Sequence, residues 1–256
     1  MSLALTVLGG SPAWPNPGQA ASGYVVESDG TRLLMDCGSG IAAELRARDP
    51  GPLTAIVISH FHADHWFDLV PLHYAYLFGN WNTRQQPDLH LPPGGRDVLD
   101  SVARSWGGTV ATFDDAYAIT EFDPAAPLQI GDLRLSFLAT RHYTVCYAIR
   151  IECGGRTLVY SADSGPLDGL ADFARGAELF ICEASLPNAT ADDPERGHMT
   201  PAEAAVTAVE AGAGRLLLTH VPAESGEERV LSDARAVFPG TVDVAHPGLR
   251  IEVREG

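Results

Sequence analysis

The chain has 256 residues, 45% of them hydrophobic, a mean hydropathy of zero and a formal net charge of −16. All 17 basic residues are arginine, which excludes a lysine Schiff base and a phosphate-loop lysine, and the acidic balance argues against a basic stripe for gripping polyanions. No apolar run is long enough to cross a bilayer and no charged leader precedes the first apolar segment, so one cytoplasmic domain over residues 1–256 is expected.

Strand-like runs occur at 3–8, 22–27, 32–36, 53–58, 133–138, 145–151, 157–160, 179–182, 215–219 and 249–253. Helix-like stretches lie near 40–48, 65–77, 96–105, 166–175, 201–212 and 226–237. Ser28-Asp29-Gly30 and Gly154-Gly155 read as hairpin turns. Thr200-Pro201-Ala202-Glu203 reads as a capping box with proline in the first turn, and Gly212 supplies the stop. The polar, proline-rich stretch from Gly79 to Gly95 reads as a loop. Hairpins interleaved with helices imply mixed sheets covered by helices, an α+β architecture. Cys37, Cys146, Cys153 and Cys182 form no CxxC pair and read as buried free thiols.

The run Ser59-His60-Phe61-His62-Ala63-Asp64-His65 carries the chemistry. It follows the apolar run Leu53–Ile58, so imidazole and carboxylate ligands gather at a strand end. Imidazole suits zinc, and carboxylate adds charge. Four such groups crowd a single ion. His60 and His62 can converge on one metal, with Asp64 and His65 better placed for a second. This is the pattern of a two-metal hydrolytic centre, with ions roughly 3.5–4 Å apart. Three further candidates each sit just past a strand-like run: His142, Asp163 and His220. A carboxylate such as Asp163 can bridge two cations. His73, His90 and His246 lack the strand-end context and read as structural.

With these residues in view, the chain resembles the metallo-β-lactamase superfamily over nearly its whole length. The resemblance implies a four-layer αββα sandwich of two mixed β-sheets with the site between them. It places His60, His62 and His142 on one metal, Asp64, His65 and His220 on the other, and Asp163 on both. It also implies that Asp36, in Leu34-Met35-Asp36-Cys37-Gly38, supports the site without binding metal. True zinc β-lactamases usually lack the bridging aspartate, and several use a cysteine ligand, so β-lactam hydrolysis is not expected here. The segments Tyr160–Ser164, Phe180–Ser185 and Gly197–Thr200 resemble the phosphodiesterase branch. Ala21-Ser22-Gly23-Tyr24, Cys182-Glu183-Ala184-Ser185 and Leu217–Pro222 are most similar to bacterial atypical cyclic-nucleotide phosphodiesterases.

That branch also holds tRNA 3′-processing endoribonucleases, which carry a long basic arm between the third histidine and the bridging aspartate. Here those positions, 142 and 163, are only 21 apart. Without an arm, and with a net charge of −16, large nucleic acid is disfavoured and a small phosphodiester is the expected substrate.

The resemblance implies two Zn2+ ions, with Mn2+ or Fe able to use the same ligands, and attack by hydroxide held between them. Two dications, two aspartates and one hydroxide leave the centre at +1, which attracts a phosphodiester despite the acidic surface. The resemblance also implies His198 as the proton donor to the leaving group, positioned by Glu183 or Asp64. Trp66, Phe67, Tyr74, Tyr76, Trp81 and Trp106 are candidates for the site entrance. Alternatives are tRNA 3′ processing and a lactone or carboxylic-ester hydrolase on the same metals. A non-catalytic scaffold is disfavoured by the complete ligand set. Homodimerisation stays open, since relatives often dimerise.

Overall fold

The computed structural model describes residues 2–48, 51–81, 85–109, 112–188 and 195–254. The first half runs β1 (Leu3–Gly9), β2 (Gly23–Ser28), β3 (Arg32–Met35), α1 (Ile41–Arg48), β4 (Ala55–Val57), α2 (Ala63–Trp66), α3 (Leu69–Leu77), β5 (Asp88–Leu91), α4 (Gly95–Ser105) and β6 (Ala118–Glu121). The second runs β7 (Leu128–Ile130), β8 (Leu133–Ala139), β9 (Tyr147–Cys153), β10 (Arg156–Tyr160), α5 (Leu170–Phe173), β11 (Leu179–Glu183), α6 (Pro201–Ala211), β12 (Arg215–Thr219), α7 (Glu227–Arg235), β13 (Thr241–Val244) and β14 (Arg250–Glu252).

Two seven-stranded sheets form, ordered β14-β1-β2-β3-β4-β5-β6 and β13-β12-β11-β10-β9-β8-β7. Each begins as an antiparallel meander and continues as parallel strands, from β3 to β6 in one and from β10 to β13 in the other. Strands in such sheets are covered on both faces, so their sequences are nearly continuous apolar runs.

Alternate residues then sort to different layers. Leu5, Val7, Ala55, Val57, Ile181 and Leu217 face the interior between the sheets, where they meet Phe137, Ile149 and Leu158. Their neighbours Leu34, Ile56 and Ile58 point outward onto α1, α3 and α4. Phe180, Cys182, Leu216 and Leu218 do the same under α6 and α7. The result is the αββα sandwich. All four cysteines are free and buried.

Differences from the sequence reading have local causes. The helix expected over 65–77 splits into α2 and α3, because Pro71 has no N–H and its ring crowds the carbonyl four residues back. The helix expected over 166–175 is reduced to α5. The Gly79–Gly95 loop contains β5, a four-residue strand with two polar positions. β4 and β6 flank it in parallel and supply its ladder, which local sequence cannot reveal. β6, β7 and β13 escape because they are edge strands, three or four residues long and partly exposed. The capping box forms as expected: Thr200 Oγ1 accepts from Glu203 N at 3.3 Å, and Thr200 N donates back to Glu203 Oε2 at 2.9 Å.

Candidate metal centre

The strands of both sheets end at one edge, and their ends carry the site. Asp36 follows β3, Ser59 and His60 follow β4, Asp163 follows β10, Glu183 ends β11 and His220 follows β12. His60 pairs with Cys146 in an isolated antiparallel bridge, and Tyr147 N donates to Ser59 O at 3.2 Å, so the sheets are joined beside the site. Among the described residues, the non-glycine residues with positive φ are Asp36 (57°), Ala162 (50°) and His220 (59°). All three lie where a strand turns into the site. Such backbone costs energy and persists where surrounding structure holds it. Gly38 makes a related close approach: a Cβ there would lie 1.8 Å from Asp64 O.

The structure brings the seven candidate ligands together. His60, His62, His142 and Asp163 form one group able to hold an ion, and Asp64, His65, Asp163 and His220 form another. Asp163 is common to both. Its Oδ2 lies 3.8 Å from His60 Nε2, 3.7 Å from His142 Nε2 and 3.6 Å from His220 Nε2, while Oδ1 lies 3.4 Å from His65 Nε2. His62 Nδ1 faces His142 Nε2 at 2.9 Å. Asp64 Oδ2 is 3.0 Å from His220 Nε2 and 3.3 Å from His65 Nε2.

The outer nitrogens explain why these rings point inward. His65 Nδ1 donates to Asp36 Oδ2 at 2.7 Å, and His142 Nδ1 to Gly197 O at 2.9 Å. His60 Nδ1 lies 3.0 Å from Ser59 Oγ, which itself donates to Asp36 Oδ2 at 2.8 Å. Each contact occupies the outer Nδ1 and turns Nε2 toward the cluster. Asp36 is fully buried and also accepts from Ser59 N at 2.8 Å and Tyr160 Oη at 3.0 Å.

Of the buried polar side-chain atoms without a hydrogen-bond partner among the described residues, four belong to the candidate ligands: His60 Nε2, His65 Nε2, Asp163 Oδ1 and His220 Nδ1. Orphaned buried polar atoms are rare and call for a cause. Here they cluster, and their chemistry fits divalent cations bound by imidazole and carboxylate.

Charges follow the same logic. Burial lowers His60, His62 and His142, holding them neutral as ligands must be. Burial also opposes charge on His65, but Asp163 and Asp36 outweigh it and raise that ring. Burial pushes both aspartates up. Hydrogen bonds from His220 and His65 reverse this for Asp64, and the charges of the same two rings reverse it for Asp163, so both sit well below the usual carboxylate range.

His198 stands at the rim, its Nδ1 2.8 Å from Glu183 Oε1 and its ring stacked 5.6 Å from that of His220. Burial lowers its pKa, but the Glu183 hydrogen bond more than offsets this and leaves it raised. Of the two carboxylates expected to position His198, Glu183 makes the contact, while Asp64 is engaged with His220 and His65. Glu183 is itself held by Ser164 N at 3.0 Å and Ser185 Oγ at 2.9 Å.

His73, His90 and His246 lie outside these groups, bonded to Thr112 O, Thr120 Oγ1 and Glu227 Oε2. Trp66, Tyr76 and Trp81 are buried in the core under the first sheet, whereas Phe67, Tyr74 and Trp106 are exposed. Ser59 and Tyr160, quoted above only as parts of motifs, both bond Asp36: Ser59 adjoins the ligand run in sequence, whereas Tyr160 reaches Asp36 from 124 positions away.

Comparison with known proteins agrees with this geometry. A family profile described as "Beta-lactamase superfamily domain" matches residues 31–221. The chain is 36% identical over 245 residues to the probable metallo-hydrolase YhfI of Bacillus subtilis, covering 95% of this chain and 97% of that one. The crystal structure of YhfI superposes with a TM-score of 0.87 at 33% identity, covering 98% and 99% of the two chains. Ribonuclease Z of Halobacterium salinarum is 30% identical over 99% of this chain and 98% of its own. The short form of human tRNase Z superposes with a TM-score of 0.74 at 25% identity, covering 98% and 100%. Ligand-rich strand ends, the αββα sandwich and these matches agree: the chain belongs to the metallo-β-lactamase superfamily, as a metal-dependent hydrolase related to tRNase Z.

Proposed function

We propose that the chain is a dinuclear phosphodiesterase that cleaves a small nucleotide phosphodiester, cyclic forms included. The observation that carries this reading is the pair of four-residue ligand groups sharing Asp163, with His198 beside them. His60, His62 and His142 would hold one cation, Asp64, His65 and His220 the other, and Asp163 both. The nitrogen-rich donor set suits two Zn2+, and Mn2+ or Fe can use it too. When bound, such ions acidify a water to near neutral pKa and neutralise phosphoryl oxygens.

The chain's own groups do the rest. Asp36 and Gly197 O fix the ligand rings. Glu183 fixes His198 with its Nδ1 proton toward the carboxylate, leaving Nε2 to hand a proton to the departing alkoxide. Asp64 anchors His220 and so sets the wall against which His198 stacks.

What fills residues 142–163 supports a small substrate. The β9–β10 hairpin occupies most of that span, with no room for a tRNA-gripping arm. The 30% identity to a ribonuclease Z keeps tRNA 3′ processing as the second reading.

The test is hydrolysis of bis(p-nitrophenyl) phosphate, 3′,5′-cyclic AMP, 2′,3′-cyclic AMP, a precursor tRNA and a simple lactone by metal-loaded and chelated protein. Cyclic-nucleotide turnover lost on chelation is expected. Precursor-tRNA cleavage with inert cyclic nucleotides would move the function to the second reading. Lactone turnover with inert phosphodiesters would move it to carbonyl chemistry.

A further inference from the structure

Tyr143 is absent from the ligand groups, yet it belongs to the same wall. The residue is 66% exposed. The ring lies 5.2 Å from that of His142 and 5.8 Å from that of His198. Those two rings are 5.1 Å apart in an edge-to-face arrangement. Tyr143 therefore flanks the gap between a candidate ligand and the candidate proton donor.

An exposed tyrosine on a loose loop would be an ordinary surface residue. This loop is pinned on both sides of the ring. Before it, Thr140 N donates to Cys146 O at 2.9 Å, Thr140 Oγ1 donates to Asp163 O at 2.7 Å, and Arg141 O accepts from Gly165 N at 2.8 Å. His142 Nδ1 donates to Gly197 O at 2.9 Å. After it, Cys146 is buried and paired with His60. The ring also has a made-to-fit seat. A Cβ on Gly197 would lie 2.8 Å from Tyr143 Cε2, 3.0 Å from Tyr143 Cζ and 3.0 Å from His142 Nδ1, so the ring lies close against the Gly197 backbone. One side is thus supported while much of the ring stays open to solvent. A rigid aromatic face costs little entropy to use, and base–aromatic stacking tolerates any base.

We infer that Tyr143 gives this centre its preference for a nucleoside over a bare sugar phosphate: it is a fixed platform on which the nucleobase of the leaving-group side stacks. The placement rests on the phosphodiesterase reading, because the departing oxygen must emerge beside His198, which Tyr143 touches. Tyr143 contributes through its ring, so its hydroxyl is dispensable.

Equilibrium binding separates this inference from the reading beneath it. Metal-loaded wild-type, Tyr143→Ala and Tyr143→Phe proteins are titrated calorimetrically with adenosine 5′-phosphate and with ribose 5-phosphate, which lacks the base. Wild type is expected to prefer adenosine 5′-phosphate by roughly 5- to 150-fold, the range for one stacked base. Tyr143→Ala should erase the preference and leave ribose 5-phosphate affinity unchanged, while Tyr143→Phe keeps it. An exposed side chain can be removed without unfolding the protein, and an unchanged melting temperature checks this. No preference in wild type, or a preference that survives in Tyr143→Ala, overturns the platform. A preference lost in Tyr143→Ala, in a protein that cleaves no phosphodiester, leaves the platform standing and removes the phosphodiesterase.

Discussion

Glu183 Oε1 lies 2.8 Å from His198 Nδ1, and the carboxylate that makes this contact is fully buried. A buried carboxylate whose oxygens accept from Ser164 N, Ser185 N and Ser185 Oγ has no freedom to move, so it sets the direction of the imidazole. On the proposed reading, this arrangement assigns His198 to turnover and leaves metal binding to the seven candidate ligands. His198→Ala should lower kcat on an unactivated diester by about 10²- to 10⁴-fold, with zinc content by elemental analysis unchanged. A p-nitrophenyl leaving group needs little protonation and should be cleaved by the variant almost normally. Equal losses on both substrates would show that His198 does something other than protonate.

Asp36 touches three groups that aim the ligands: His65 Nδ1, Ser59 Oγ and Ser59 N. Asp36→Asn keeps the shape but weakens those contacts and removes the charge. Metal affinity, measured by competition with a chromophoric chelator, should fall by about 10- to 100-fold. Unchanged affinity would make Asp36 a folding residue alone.

Asp132 stitches the β7–β8 turn to the β2–β3 hairpin, accepting from Ser28 Oγ at 2.5 Å and Thr31 Oγ1 at 2.6 Å. Partial burial raises its carboxyl, but those hydroxyls outweigh it and hold the group below its ordinary range. A depressed folded-state pKa contributes stability that is present above the unfolded value of ~3.9 and lost as pH falls through the folded one. Asp132→Asn should therefore cost about 1 kcal/mol at pH 7, a modest figure because solvent reaches the site. Urea titrations should show a narrower gap at pH 3, and a gap that widens in acid would contradict this origin.

Thr200 caps α6 two residues after His198. Thr200→Ala removes one half of the capping box and should destabilise the protein by about 1 kcal/mol in urea denaturation. Glu203 also pairs with Arg196, which tethers the segment carrying His198, so kcat should fall with KM little changed. A variant destabilised as stated but with normal kcat would separate the helix cap from the active site.

Much of this protein is determined by local sequence. The opening ligand run, the strand-end positions of His142, Asp163 and His220, and the Thr200 cap all rest on residues near one another in the chain, where spacing and apolar runs carry the information. Tertiary structure alone decided the rest. β5 exists because β4 and β6 flank it, not because Asp88-Leu89-His90-Leu91 prefers to be extended. Trp66, Tyr76 and Trp81 turn inward because the first sheet offers them an apolar face, whereas Tyr143 faces solvent on the seat left by Gly197. Asp163 Oδ2 comes within 4 Å of His60 and His220 because strands from two sheets end at one edge. Such convergence depends on how the sheets twist and stack, and no stretch of chain records it on its own.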